Sequence, residues 1–373
     1  MENTYFSHME NKSKSLYVAA TSQHIGKTTS TLGLVSAIRS KGIDVGYCKP
    51  VGQKFLDINN LRVDKDTVLF ADLLDFDVVP EVHSPIILGA GATEKILDED
   101  FDFDPDKVLL NAKKTLEQNH DFVIYEGTGH PGVGSIAGLS NARVAKLMDA
   151  KVIMVVEGGI GSTIDMLNMT TSLFREEGVE ILGVIVNKVR PDKLEKVRKY
   201  LTLWFERANL KLLGVVPYDP SLAYPLILSI SKAINGRITH NIENLDNRVA
   251  NIIAGSVIDY EKVRDKEDLL LVVSNRGVAD AISKINIISD TAEKIKSPLA
   301  GIVVTGEGDL DEKVVEYVNT HKVPLIRTDL DTYGSVIKIS RIEVKINRNT
   351  PWKVRRAIEL IEENLDLSSI LPK

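Results

Sequence analysis

The residues best suited to chemistry are 20–29, Ala-Thr-Ser-Gln-His-Ile-Gly-Lys-Thr-Thr. The apolar run Leu16-Tyr17-Val18-Ala19-Ala20 precedes them. A helical pattern follows, with Leu32, Val35 and Ile38 on one face and Gly42 closing it. A loop between strand and helix aims its own N–H groups, and those of the helix N-terminus, at phosphate oxygens. In such a loop Lys27 reaches the β- and γ-phosphates and the Thr28 hydroxyl holds Mg²⁺. Gly26, Lys27, Thr28 and Thr29 are therefore the expected nucleotide contacts. Ala20 stands where such loops usually carry their first glycine.

In open parallel sheets ligands bind outside the carboxyl ends of the strands, so polar residues just beyond each apolar run are the other candidates. Lys49 follows Tyr47-Cys48 and could reach a phosphate or substrate, or simply be solvated. Glu126 follows Phe122-Val123-Ile124-Tyr125 and opens the glycine-rich stretch Gly127-Thr128-Gly129-His130-Pro131-Gly132, the expected place for a second metal anchor. Asp66 begins an amphipathic pattern, where a carboxylate is either a helix cap or a metal ligand. Asn187 ends an apolar run and can offer donor and acceptor to an adenine edge, or form a turn. His24 and His130 lie in the two loops and could respond to charge on a phosphate. No Ser/His/Asp order or metal-ligand helix motif stands out.

Positioning these groups requires alternating strands and helices. Apolar runs at 16–20, 44–49, 121–126, 151–156, 181–187 and 211–216 alternate with 3.6-periodic segments at 27–41, 66–75, 105–119, 141–149, 163–177 and 191–209. This pattern predicts an α/β fold: a parallel sheet with helices on both faces. Asp104-Pro105 reads as cap and first helical residue, and Pro191 opens the last helix. Pro217, Pro220 and Pro225 then break the pattern. A smaller α/β unit follows, with strands at 269–273, 300–304 and 323–326 and a closing helix at 351–364. The expected organisation is a tail over 1–15, a first domain over 16–217, a linker over 218–246 and a second domain over 247–364.

Composition narrows the classes. The chain has 373 residues, 43% hydrophobic and 26% charged, with net charge −6, which is ordinary for a globular protein. No basic stripe suggests nucleic acid, and no apolar run approaches the length of a membrane helix. The single cysteine, Cys48, excludes an internal disulfide and reads as a buried small hydrophobe. A cytoplasmic setting is expected.

With these residues in place, the chain resembles dethiobiotin synthetase and its relatives, the glutamine-dependent cobyrinate amidases and the N-terminal domain of long phosphate acetyltransferases. The likeness spans roughly 15–220 and is carried by Ala20–Thr28, Tyr47-Cys48-Lys49-Pro50-Val51, Asp66, Glu126-Gly127-Thr128-Gly129 and Val186-Asn187-Lys188. It implies that Lys27, Lys49 and Thr28 bind ATP and Mg²⁺, that Asp66 and Glu126 complete the metal site, and that Asn187 and Lys188 lie against the nucleotide. The later part resembles the DRTGG domain through Asn247–Asn251, Leu271–Arg276, Val304-Thr305-Gly306 and Thr328–Gly334. Where such domains commonly have Gly-Asp-Arg, this chain has Ser274-Asn275-Arg276. Together the halves resemble the regulatory N-terminal region of long phosphate acetyltransferases, with no acetyltransferase domain expected. The resemblance implies a homodimer and leaves room for a protein partner on the second domain. Two activities follow from it: a slow ATPase coupled to the DRTGG domain, or a ligase that activates a carboxylate or carbamate as a phosphoric anhydride.

Overall fold

The computed structural model describes residues 14–58, 61–98, 104–292 and 296–368. The expected tail lies outside them as far as residue 13, and Ser15 already belongs to the first strand. The chain forms two compact units, Met1–Asp219 with Ile346–Lys373, and Pro220–Lys345.

The strands of the first unit are β1 (Ser15–Ala20), β2 (Val45–Cys48), β3 (Val51–Gly52), β4 (Phe55–Ile58), β5 (Leu61–Asp64), β6 (Ile86–Ile87), β7 (Phe122–Glu126), β8 (Lys151–Glu157), β9 (Ile181–Val189) and β10 (Leu212–Pro217). Among the described residues, six form a parallel sheet in the order β10-β9-β8-β1-β7-β2. Their unbroken apolar runs fit this: Leu16–Ala20 and Val152–Val156 are buried throughout, as strands covered on both faces must be. On one face Leu167 and Phe174 pack with Tyr17, Tyr125 and Val184. Alternation turns Leu16 and Val18 the other way, where helix α1 (Lys27–Arg39) buries Leu32, Val35 and Ile38. From β1 the chain runs outward to β2 and back to β7, whereas from β8 it runs to the opposite edge. The reversal falls beside β1, which opens a crevice at the carboxyl end of that strand.

The expected boundaries change in two places. The helix Pro351–Asn364, expected in the second domain, packs in the first. It lies so close to α1 that a Cβ built on Gly33 would meet the Cβ of Ile361 at 2.2 Å. Ser36 Oγ also donates to Glu362 Oε1 at 3.0 Å. Its buried stripe of Ala357, Leu360 and Ile361 fits the small residue of α1, a match that sequence order does not reveal. The expected linker is the second correction. Its prolines suggested irregular chain, yet it holds the helix Ile227–Ala233 and strand β11 (Arg237–His240). Ile227, Ile230 and Ile234 share a core with Leu270, Val303 and Ile326.

The second unit adds β12 (Asn251–Ala254), β13 (Leu269–Ser274), β14 (Leu299–Thr305) and β15 (Leu325–Thr328). The order is β11-β15-β14-β13-β12, with β11 antiparallel and the rest parallel. The strands β12 to β15 follow one another in a single direction, so no reversal opens a crevice among them.

Candidate nucleotide site

The phosphate loop leaves β1 at the reversal. Thr21 N donates to the carbonyl of Val155 at 3.0 Å, which extends the pairing with β8 one residue beyond the strand. Ala20 is still inside β1, paired with Val155 and buried. Its methyl therefore fills the sheet core, and the turn that usually needs a first glycine begins after it. Gly26 has no such latitude. Its φ is 106°, a left-handed value that side chains resist, and a Cβ there would lie 2.2 Å from Asn187 Nδ2.

Asn187 is buried at the end of β9 and holds the loop from beneath. Its Nδ2 donates to the carbonyl of Ile25 at 2.8 Å, and its Oδ1 accepts from Lys188 N at 2.9 Å. One N–H of the amide is thus committed to the loop and one lone pair to the backbone of its own strand. Lys188 carries φ 58° and donates from Nζ to the carbonyl of His24, itself at φ 60°. Two non-glycine residues in left-handed conformations, tied to each other, mark strain concentrated at this loop.

Lys27 opens α1, with its Nζ donating to the carbonyl of Gly129 at 2.7 Å and to that of Ser22 at 3.5 Å. Its ammonium therefore lies where the phosphate loop meets the glycine-rich loop after β7. Thr28 Oγ1 donates to Glu126 Oε1 at 3.0 Å, and Thr29 follows in the same turn.

Glu126 is fully buried at the end of β7. Lys49, just past β2, is 4% exposed. Its Nζ stands 2.6 Å from Asp66 Oδ2 and 3.1 Å from Glu126 Oε1. Burial opposes the Lys49 charge, but Asp66, Glu126 and Asp64 overcome it and hold its pKa well above the usual lysine value. Asp66 is not the helix cap. That place belongs to Asp64, whose Oδ1 accepts from Asp66 N at 2.9 Å at the start of helix α2 (Lys65–Leu74). Burial pushes the Asp64 carboxyl up to about 6 against the pull of Lys49. Thr28, Asp66 and Glu126 offer only hard oxygen donors. Glu126 Oε2 is buried and accepts no hydrogen bond among the described residues. That set suits Mg²⁺, which takes one or two carboxylates and fills its remaining positions with phosphate and water.

The glycine-rich loop is fixed by a residue the sequence did not single out. Asn141 Oδ1 accepts from Tyr17 Oη at 2.7 Å and from Thr128 N at 3.0 Å. Its Nδ2 donates to the carbonyls of Thr128 at 2.8 Å and His130 at 2.7 Å. Thr128 Oγ1 donates to the carbonyl of Val51. His130 is exposed and uses Nδ1 to accept from Gly132 N. The signal for Asn141 was faint: Ser140 supplies the helix cap, which leaves Asn141 as an uncommitted polar residue in the first turn.

Residues 14–226 match the AAA domain family. This chain belongs to that family. Behind the AAA domain, residues 229–342 match the DRTGG domain. A phosphate acetyltransferase of Nitrosomonas europaea is 22% identical over 365 residues, covering 94% of this chain and 50% of the relative. One from Pseudomonas putida is 24% identical over 373 residues, with 94% and 50% covered. The chain spans about half the length of these curated relatives. The ATP-dependent dethiobiotin synthetase BioD of Clostridium kluyveri is 28% identical over 184 residues, covering 48% of this chain and 76% of that protein. Among solved structures, the MinD cell division protein of Aquifex aeolicus aligns with TM-score 0.37 at 14% identity, over 57% of this chain and 85% of MinD. Among the described residues no helix is long and apolar enough to cross a membrane.

One buried histidine gives the AAA domain a pH signature. The His83 carbonyl accepts from Lys49 N and Thr67 Oγ1, and its ring nitrogen Nδ1 accepts from Val79 N at 3.0 Å. Burial, with His120 nearby, lowers its pKa to about 4. An unfolded histidine titrates near 6.5. Between those values the unfolded chain takes up a proton that the folded one refuses. The stability is therefore complete above about pH 6.5 and declines by roughly 2–3 kcal/mol as pH falls to about 4. Urea titrations across that range on wild type and His83→Phe check this. The variant is expected to lose most of the slope, and an equal slope in both proteins would assign it elsewhere.

Proposed function

We propose that this protein binds ATP·Mg²⁺ at the loop of residues 20–29, hydrolyses it slowly, and uses the nucleotide state to bias its DRTGG unit. The observation carrying the reading is the convergence of Lys27, Thr28, Lys49, Asp66 and Glu126 at the mouth of one phosphate loop. With nucleotide bound, Lys27 exchanges the carbonyl of Gly129 for phosphate oxygen, a stronger charge-assisted bond. Bound Mg²⁺ would neutralise phosphate charge from Thr28, Asp66 and Glu126. Asn187 and Lys188 hold the loop, and the half of the Asn187 amide not spent there can face the base. Adenine contact by Asn187, a cytoplasmic setting and a homodimer belong to this reading as well.

Coupling has a covalent basis. The chain that leaves the DRTGG unit leads into the helix Pro351–Asn364, and that helix packs on α1, whose first turn carries Lys27 and Thr28. A shift of α1 on binding phosphate therefore reaches the segment joined to the DRTGG unit. The likeness to phosphate acetyltransferases over half their length supports a regulatory role.

ATP turnover by the full chain, with and without 7,8-diaminopelargonate and bicarbonate, tests the reading. Slow hydrolysis indifferent to both compounds is expected. Turnover that depends on them, with a new C–N bond in the product, would replace it with the ligase reading.

A further inference from the structure

Lys49 sits where a cation is required, before any metal is present. Its ammonium lies between Asp66 Oδ2 and Glu126 Oε1, with the side chains of Lys49 and Glu126 5% and 0% exposed. These are the same two carboxylates that would anchor Mg²⁺ beside Thr28. An ammonium and a divalent ion cannot share the space between them, because like charges a few ångströms apart in a poorly hydrated site repel strongly. The carboxylates, for their part, cannot stay buried without a positive partner. Lysine is suited to leave such a place, being a compact charge on a flexible four-carbon stem. In the nucleotide-free protein the remaining buried carboxylate beside it, Asp64, is engaged as the cap of α2, whereas a nucleotide would bring phosphate as a new partner.

We infer that the Lys49 ammonium is a resident stand-in for the divalent cation, which enters only when a nucleotide supplies phosphate to receive the lysine. The inference rests on the nucleotide-site reading above and adds an order of binding: metal alone is excluded, and nucleotide and metal enter together. An ordinary buried ion pair makes a different forecast. If Lys49 served only to hold the fold, its removal would weaken the protein without creating a metal site.

The test titrates Mn²⁺ into the full chain and follows the free ion by electron paramagnetic resonance, first alone and then with ADP. Wild type is expected to bind Mn²⁺ weakly alone and tightly with ADP. Lys49→Met and Lys49→Gln are expected to bind Mn²⁺ alone about tenfold or more tightly than wild type, since the vacated carboxylates lose their partner. Mn²⁺ alone should also raise the melting temperature of these variants. Lys49→Arg keeps a cation and should resemble wild type. With ADP bound, Mn²⁺ held by wild type as tightly as without it overturns the inference, even if neither neutral variant folds. So does a folded neutral variant with no gain. A gain in the variants with no ADP bound by any form would instead uphold the stand-in and remove the nucleotide reading.

Discussion

Asn141→Ala is expected to cost about 3–5 kcal/mol of stability, because it strips partners from several buried groups at once. The amide makes four hydrogen bonds, two accepted and two donated. Truncation leaves the Tyr17 hydroxyl and Thr128 N–H unsatisfied in the interior, at about 1–3 kcal/mol each. The carbonyls of Thr128 and His130 lose a donor as well. In a unit of this size such a loss lowers the melting temperature by roughly 10 °C. Asn141→Asp provides a sharper comparison. It keeps both accepted bonds but turns a carboxylate oxygen towards two carbonyls, so it should be no more stable than the alanine variant. Denaturation of the three proteins at neutral pH decides the matter. An alanine variant within about 1 kcal/mol of wild type would mean that water satisfies these groups. The effect should extend to nucleotide affinity, since the loop fixed by Asn141 supplies the Gly129 carbonyl that positions Lys27.

Lys27→Ala should leave the fold nearly intact and weaken ATP·Mg²⁺ binding by roughly a hundredfold. In the nucleotide-free protein Lys27 is only part-buried and bonds to two backbone carbonyls, so its loss costs about 1 kcal/mol of stability. Against phosphate the same ammonium makes charge-assisted bonds worth about 1.5–3 kcal/mol each. A loss near 3 kcal/mol is roughly two decades in the dissociation constant. Calorimetric titration of both proteins gives the comparison. Equal affinities would place the nucleotide elsewhere and remove the basis for the proposed function.

The legible parts of this protein were those governed by local pattern. The apolar runs of β1, β7, β8 and β9 are buried on both faces and could be read directly. Asp104-Pro105 opens its helix as expected, with Asp104 accepting from Lys107 N. Lys27, Lys49, Asp66 and Glu126 announced themselves by standing just past strands or at a helix start, and they lie together. What escaped was decided by distant partners. Asp64 and Asp66 both precede the same apolar stripe, and only Lys49, arriving from another strand, separates cap from ion pair. Asn141 matters because Tyr17 and Thr128 converge on it. Pro220 and Pro225 marked a break in the pattern but not that Ile227 and Ile230 would complete a second core.

The helix that packs against α1 also sets the order in which the molecule can be finished. Ser36 and Glu362, bonded across that contact, are 326 positions apart, and the whole DRTGG unit is threaded between them. During synthesis the phosphate loop emerges early, yet the helix that covers α1 is made only after the whole DRTGG unit. Closing so long a loop is slow compared with pairing neighbours, so the inserted unit has time to fold before its host is complete. A fragment ending at residue 226, where the AAA domain match stops, would keep every residue of the nucleotide site and still lack the surface that Gly33 was shaped to meet.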